Sequence, residues 1–441
     1  MKHTILEGDV LDCVKVIPSG SVDMVFTSPP YWGLRDYGVD GQWGLESHPQ
    51  EYINNMVLLG RELKRVLKDS GSFWLNLGDT YCTIRPQGHD TNSKHKDNLN
   101  PKRSRRSGLV LHQKSNWLQP KQLLLLPSRV AVALQEDGWV LRNDVIWHKP
   151  NPMPSSVRDR FSNTFEHLFL FVKNRKYFFD LDAVRVPHKE ESIRRACRGR
   201  HSKKLDEGQY AVSYKEDYKG YDDMQGKLER GELRGAHPQG KNPGDTMEVM
   251  QEKKRKSWYS NPGHDKTHVR KWKKGADGSD FFEITTQSYK EAHFAVFPEK
   301  LVDQPLLAGC PREVCVECGK PREKIVESEP SNWRERKDTR EEVTKHFNSK
   351  GSGGNPGGGF IPTKKETVGW SDCGCGKGFE PGVVLDPFAG SGTVAKVALE
   401  QKKSSISIEL NPEYVKLIKK RLRWKLQRLG GVEFVHKNCG G

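Results

Sequence analysis

Val383-Val384-Leu385-Asp386-Pro387-Phe388-Ala389-Gly390-Ser391-Gly392-Thr393 reads as a buried strand running into a glycine-rich turn, with a helix over Val394 to Gln401 behind it. Glycines let a backbone approach a ligand closely, and a helix N-terminus presents unpaired N–H groups. A nucleotide or a carboxylate suits such a place. Ser405 to Leu410 then forms a second strand that reaches Glu409 near its end. An acid at that position takes both hydroxyls of a ribose in dinucleotide-binding folds. The glycine spacing is G-x-G rather than G-x-G-x-x-G, which a tight strand-to-helix turn alone would also explain. The Asp-Pro-Phe lead-in and Glu409 favour the ligand reading.

Working outward, Thr4 to Leu6 and Met24 to Phe26 are short apolar runs separated by the turn Pro18-Ser19-Gly20-Ser21. Tyr52 to Leu67 carries apolar residues at helical spacing and stops before Gly71, and Ser72 to Leu77 reads as the next strand. Leu123 to Leu134 predicts a helix, and Trp139 to Trp147 and Thr164 to Val172 predict strands, with the rigid link Pro150 to Pro154 between them. Regular structure returns at His293 to Leu307. Strands alternating with helices predict an α/β sheet with parallel strands.

Thr27-Ser28-Pro29-Pro30-Tyr31-Trp32 follows directly on the second strand. Two prolines at the carboxyl end of a parallel strand serve no sheet. They stiffen a loop in the crevice where α/β proteins bind ligands, and their carbonyls are left free to accept hydrogen bonds. Alone, the same four letters also fit a structural turn.

The chain has 441 residues, of which 34% are hydrophobic and 29% charged, with a net charge of +16. That is lean for one globule and predicts a normal core with polar insertions; the charge favours a polyanionic partner. No stretch has the length and apolarity of a membrane span or a secretory signal, so a cytoplasmic location and reduced thiols are expected. Arg85 to Lys121 holds nine Lys/Arg against two Asp, with Lys102, Arg103, Arg105 and Arg106 at its centre, and reads as a loop. Nine cysteines in a reduced chain read as metal ligands or core residues. Cys315-Val316-Glu317-Cys318-Gly319 has the shape of a zinc knuckle, and Cys373-Gly374-Cys375 offers the second pair of a closed four-thiolate structural Zn²⁺ site. The second pair is C-x-C and the gap is long, so two unligated thiol pairs remain the alternative.

Together the two loops resemble the amino-group DNA methyltransferases of prokaryotes and phages. Ile5 to Val10 resembles the segment that opens such enzymes, His293 to Pro298 the element beside the cofactor methionine, and the order of the loops the circularly permuted β class. The resemblance implies a Rossmann-like S-adenosyl-L-methionine-dependent sheet with an inserted recognition region. It implies a catalytic half over 1–185, a target-recognition region over 186–285, a cofactor half over 286–312 and 380–441, and a cysteine-rich insert over 313–379. Ser28, Pro29, Pro30 and Tyr31 become catalytic. Asp9, Val10, Phe294, Phe297, Asp386, Phe388, Gly390, Gly392, Thr393, Glu409 and Asn411 become cofactor-binding. Trp32 and the basic loop become DNA contacts, with Cys315, Cys318, Cys373 and Cys375 on zinc.

The implied reaction moves a methyl group onto the exocyclic nitrogen of a flipped-out base. Ser28, where the N6-adenine members usually carry Asp, favours N4 of cytosine over N6 of adenine. Double-stranded DNA is the implied partner, with a homodimer and a cognate restriction endonuclease as further expectations. Two other readings stay open. RNA or protein-amide methylation uses similar loops, typically with Asn where this chain has Ser28. A non-catalytic, zinc-containing DNA-binding protein would keep the fold as a scaffold, but both ligand loops here are intact.

Overall fold

The computed structural model describes residues 1–82, 118–152, 157–186, 297–328, 365–426 and 432–439, together with the backbone strands 200–204, 210–214 and 282–283. Phe294, the basic cluster Lys102, Arg103, Arg105 and Arg106, and nearly all of 186–285 lie outside the described residues. The chain divides into two compact units. The first comprises Met1–Asp180, Gly244–Pro321 and Cys375–Gly441, and the second Leu181–Pro243 and Arg322–Gly374.

The first unit opens with β1 (Lys2–Glu7), α1 (Val10–Lys15), β2 (Val22–Thr27), α2 (Pro49–Val66), β3 (Leu67–Leu77), α3 (Leu126–Glu136), β4 (Val140–His148) and β5 (Phe165–Val172). The second unit holds two antiparallel pairs, β6 (Arg200–Lys204) with β7 (Tyr210–Tyr214), and β10 (Lys324–Ser328) with β11 (Lys365–Trp370). Back in the first unit are β8 (Phe282–Glu283), α4 (Glu299–Gly309), β9 (Val314–Cys315), β12 (Phe379–Glu380), β13 (Val383–Asp386), α5 (Thr393–Glu400), β14 (Ser404–Glu409), α6 (Pro412–Leu426) and β15 (Glu433–Asn438).

Nine strands form one sheet in the order β15-β1-β14-β13-β2-β3-β5-β4-β8. The expected parallel pairing holds from β15 to β3. It fails at β5, which lies antiparallel to both β3 and β4. The reason is the link: β4 turns back into β5 with no helix among the described residues, and a parallel return needs a crossover connection.

Every residue of β2 is buried, as in a strand covered on both faces. Val22 and Val25 pack with α1, α2 and α3 on one face, and Met24 and Phe26 pack with α4 and α5 on the other. α2 shows why the sequence folds this way. Pro49 occupies its first turn, His48 Nδ1 accepts the Gln50 N–H at 3.0 Å, and Tyr52, Ile53, Met56, Leu59, Leu63 and Val66 form its buried stripe. Among the described residues no helix is long and apolar enough to cross a membrane.

Topology fixes where a ligand belongs. From β13 the chain crosses through α5 to β14 on one side, whereas β2 crosses through α2 to β3 on the other. The direction of winding reverses between the neighbours β13 and β2, and a crevice opens at the carboxyl ends of such strands. Asp386 to Thr393 leaves β13 at that point, and Thr27 to Trp32 leaves β2 there.

Candidate active site

A cavity of about 870 Å³ opens at this switch point. Its wall includes Ser28, Pro29, Pro30 and Tyr31 from the first loop, Phe388 and Gly390 from the second, and Glu409 at the end of β14. The loops are tied directly: Thr27 Oγ1 donates to Asp386 Oδ1 at 2.9 Å across 359 positions of sequence.

Asp386 is 1% exposed, and its carboxyl is pushed up to about 7 by burial, only partly opposed by the Thr27 hydroxyl and the Phe388 N–H. Its other oxygen, Oδ2, has no partner among the described residues. Glu409 is pushed up to about 7, again first by burial. Its Oε2 accepts the Gly390 N–H at 2.7 Å and its Oε1 the Asn411 N–H at 2.9 Å. Glu409 stands on the cavity wall, Asp386 lies just behind the lining residues Pro387 and Phe388, and neither carboxyl has an ion pair among the described residues, which suits the site to hydroxyl donors and to positive charge.

Gly390 sits at φ 50° with open space where a side chain would stand, so the turn leaves the cavity clear. Gly392, at φ 77°, does not line it; Ile418 packs against that glycine, and the residue serves the turn into α5. Thr393 borders the cavity, but its Oγ1 accepts from Arg421 at 3.3 Å. Asp9 caps α1 through the Leu11 N–H at 2.8 Å and lines the cavity beside Val10. Phe297 lines it too and packs on Phe26, with ring centroids 5.8 Å apart.

At the other end stands Tyr31. Its hydroxyl donates to Glu166 Oε2 at 2.6 Å and lies 3.1 Å from Asn76 Oδ1 and 3.2 Å from Ser28 Oγ. Burial, and then the Glu166 carboxylate, raise the phenol well above its ordinary value. Glu166 is ion-paired to Lys149, whose ammonium sits 4.5 Å from the centre of the Trp147 ring. Gly78 backs the tyrosine: a Cβ there would stand 2.6 Å from Tyr31 Cε2 and 3.4 Å from Glu166 Cδ.

Trp32, expected at DNA, is 4% exposed, packs in the hydrophobic core, and donates its indole N–H to Glu46 O at 2.9 Å. Asn76, Lys149 and Glu166 were missed. Glu166 and Trp147 are register partners on antiparallel strands, a pairing that appears only once β4 and β5 are known to be neighbours. Tyr37 and Trp43 also line the cavity, and Trp43 packs on Phe388 at 5.3 Å between centroids. They come from a loop with no periodic signal.

Of the four expected metal ligands, Cys315, Cys318 and Cys375 belong to the first unit, and their Sγ atoms lie within 4.8 Å of one another. The first two sit on a tight turn in which Gly319 N–H donates to Cys315 O and Cys315 N–H to Lys320 O, each at 2.9 Å. β9 pairs antiparallel with β12, Cys315 opposite Phe379, which carries the chain back past Cys375. Cys373 falls at the end of the second unit.

The family described as DNA methylase matches residues 22–316 and 379–420, which take in both loops and Glu409. Over 182 residues the chain is 47% identical to the Type II methyltransferase M.Cfr9I of Citrobacter freundii, a stretch covering 41% of this chain and 58% of that protein. Over 183 residues it is 43% identical to the Type II methyltransferase M.SmaI of Serratia marcescens, covering 42% and 60%. The chain thus spans less than two thirds of the curated relatives it matches. The solved PvuII DNA methyltransferase (cytosine-N4-specific) aligns over 99% of this chain and 96% of its own, at 15% identity and a TM-score of 0.41. The match across most of the chain, on both sides of one crevice, makes the protein a member of the DNA methylase family.

Proposed function

We propose that the protein transfers the methyl group of S-adenosyl-L-methionine to an exocyclic amino group in double-stranded DNA, with N4 of cytosine as acceptor and N6 of adenine as the second reading. The observation that carries this is the joining of the two loops by Thr27 and Asp386, so that Ser28, Tyr31 and Glu409 face one cavity.

The cofactor end passes a test of fit. Hydroxyl donors and positive charge suit Glu409 on the cavity wall, and directly behind the wall the orphaned Asp386 Oδ2 is an acceptor with no donor among the described residues. Glu409 and Asn411 would hold the ribose, Asp9, Val10 and Phe388 the adenine, and Asp386, Gly390 and Phe297 the methionine part. Bound there, the cofactor supplies an electrophilic methyl group.

The chain's own residues prepare the acceptor. An exocyclic amine is a poor nucleophile because its lone pair is delocalised into the ring. Ser28 Oγ and the Pro29 carbonyl accept its two N–H bonds and favour a tetrahedral nitrogen, while the Tyr31 ring holds the base in line. These are positioning and electrostatic effects, and they require the base to leave the duplex stack. The Ser28 side chain supports cytosine by its likeness to that branch of the family. The loop order supports the permuted class, and the basic loop 85–121 and region 186–285 are the proposed phosphate and sequence contacts. Incubation with unmodified DNA and labelled cofactor, then mass analysis of the nucleosides, should give N4-methylcytosine. N6-methyladenine would transfer the reading to the second base, and unmodified nucleosides would refute it.

For the cysteines we infer a structural zinc. Three thiols already converge, one of them buried, and Cys373, two residues from Cys375, is the fourth ligand the sequence supplies. Segment 317–378 lies between the two family matches, so the metal would staple an insertion and take no part in catalysis. Elemental analysis of the purified protein should find about one zinc per chain, as a closed four-thiolate site holds. A stable, metal-free protein would rule the site out.

A further inference from the structure

The hydrogen bonds around Tyr31 have a direction. Glu166 is paired to Lys149, and an ionised carboxylate only accepts, so the single phenolic proton is committed to Glu166 at 2.6 Å. Asn76 does not compete on equal terms: its Nδ2 donates to His167 O at 3.0 Å, which leaves its neutral Oδ1 facing the phenol at the longer 3.1 Å. The Tyr31 oxygen therefore has only lone pairs to offer Ser28, 3.2 Å away. The one arrangement that makes this contact a hydrogen bond has Ser28 O–H donating to Tyr31. With its proton turned aside, Ser28 Oγ shows the cavity nothing but acceptor lone pairs.

We propose that Glu166, held by Lys149, is a positioning residue that acts through Tyr31 to lock the Ser28 hydroxyl as an acceptor for the substrate amine. This rests on the methyl-transfer reading above. It explains what a serine otherwise lacks at this position. A carboxylate or an amide oxygen accepts without help, whereas a free hydroxyl rotates and spends part of its time donating. The high phenol value agrees, since it keeps the Tyr31 proton in place for Glu166. Glu166 itself touches no substrate in this scheme.

The test is a cycle of Glu166→Gln, Tyr31→Phe and the double variant, assayed on whole-genome-amplified DNA with labelled cofactor. Glutamine can donate as well as accept, and phenylalanine removes the relay while keeping the ring. Each single variant should lower kcat by about tenfold, the order expected when one hydrogen bond to a reacting group is misdirected. KM for DNA and cofactor affinity should stay near the wild-type values, while Glu166→Gln, which breaks the ion pair with Lys149, should lower the melting temperature without moving either affinity. The double variant should be no slower than the slower single one, because both break the same chain. Multiplicative losses, or single variants as fast as wild type, would overturn the lock. A merely structural role would instead move melting temperature and both affinities together. A wild-type protein that methylates no DNA would overturn the functional reading, a failure distinct from an active enzyme with additive effects.

Discussion

Alanine in place of Glu409 is expected to weaken S-adenosyl-L-methionine binding by about a hundredfold or more, as two charge-assisted hydrogen bonds to the ribose are lost at roughly 1.5–3 kcal/mol each. The carboxylate is held between the Gly390 and Asn411 N–H groups, so it meets the ligand in a fixed orientation. Glutamine keeps the shape but offers one acceptor oxygen in place of two, and should fall between wild type and alanine. Calorimetric titration of the three proteins decides it; equal affinities would remove Glu409 from the site.

The same carboxylates set a pH dependence. Asp386 and Glu409 both bind their protons more tightly folded than an exposed carboxyl does, with values near 7 against the ordinary value of about 4. Their contribution to stability is fully present below that ordinary value and is lost as the pH rises through about 7. The cofactor-free protein should therefore melt at a lower temperature at pH 8 than at pH 6. Cationic cofactor should narrow the gap, and identical melting curves at the two pH values would contradict the buried, uncompensated state of the pair.

Replacing Tyr31 by alanine should cut methyl transfer by on the order of a hundredfold or more, since loss of the ring that holds the base adds to the cost of the misdirected acceptor, while cofactor binding is retained. The substitution removes the ring that holds the base and the hydroxyl that links Ser28 to Glu166, and it leaves Glu166 Oε2 without its donor while Lys149 stays on Oε1. Single-turnover transfer measured beside cofactor affinity separates the effects. Transfer near the wild-type rate would refute the stacking role. Weakened cofactor binding would show that the two ends of the cavity are not separable.

Both loops that border the crevice were legible in the sequence because each breaks a local rule: prolines at a strand end, glycines before a helix. Glu409 was legible because it ends a strand of plain alternation. The elements followed from periodicity, with boundary shifts of a few residues; the helix expected from Leu123 begins at Leu126, since Leu123 bridges to Tyr81 and Leu125 turns left-handed. Strand direction was not legible at β5, because an antiparallel partner buried on both faces carries the same apolar run as a parallel one. Glu166 was hidden for that reason. Its meaning depends on which strand lies beside it, and no motif in the sequence around it marks it out. Trp32 is the opposite case, an aromatic at the end of the Ser-Pro-Pro-Tyr loop that the fold buries in its core.

Gly78 carries no functional group, yet it is where the tyrosine's position is decided. A single methyl group there would occupy space the Tyr31 ring already fills, and would reach Glu166 as well. The site is thus shaped partly by clearance. A side chain at this position would have to displace the tyrosine ring to be accommodated, so the constraint there is one of volume rather than of chemistry.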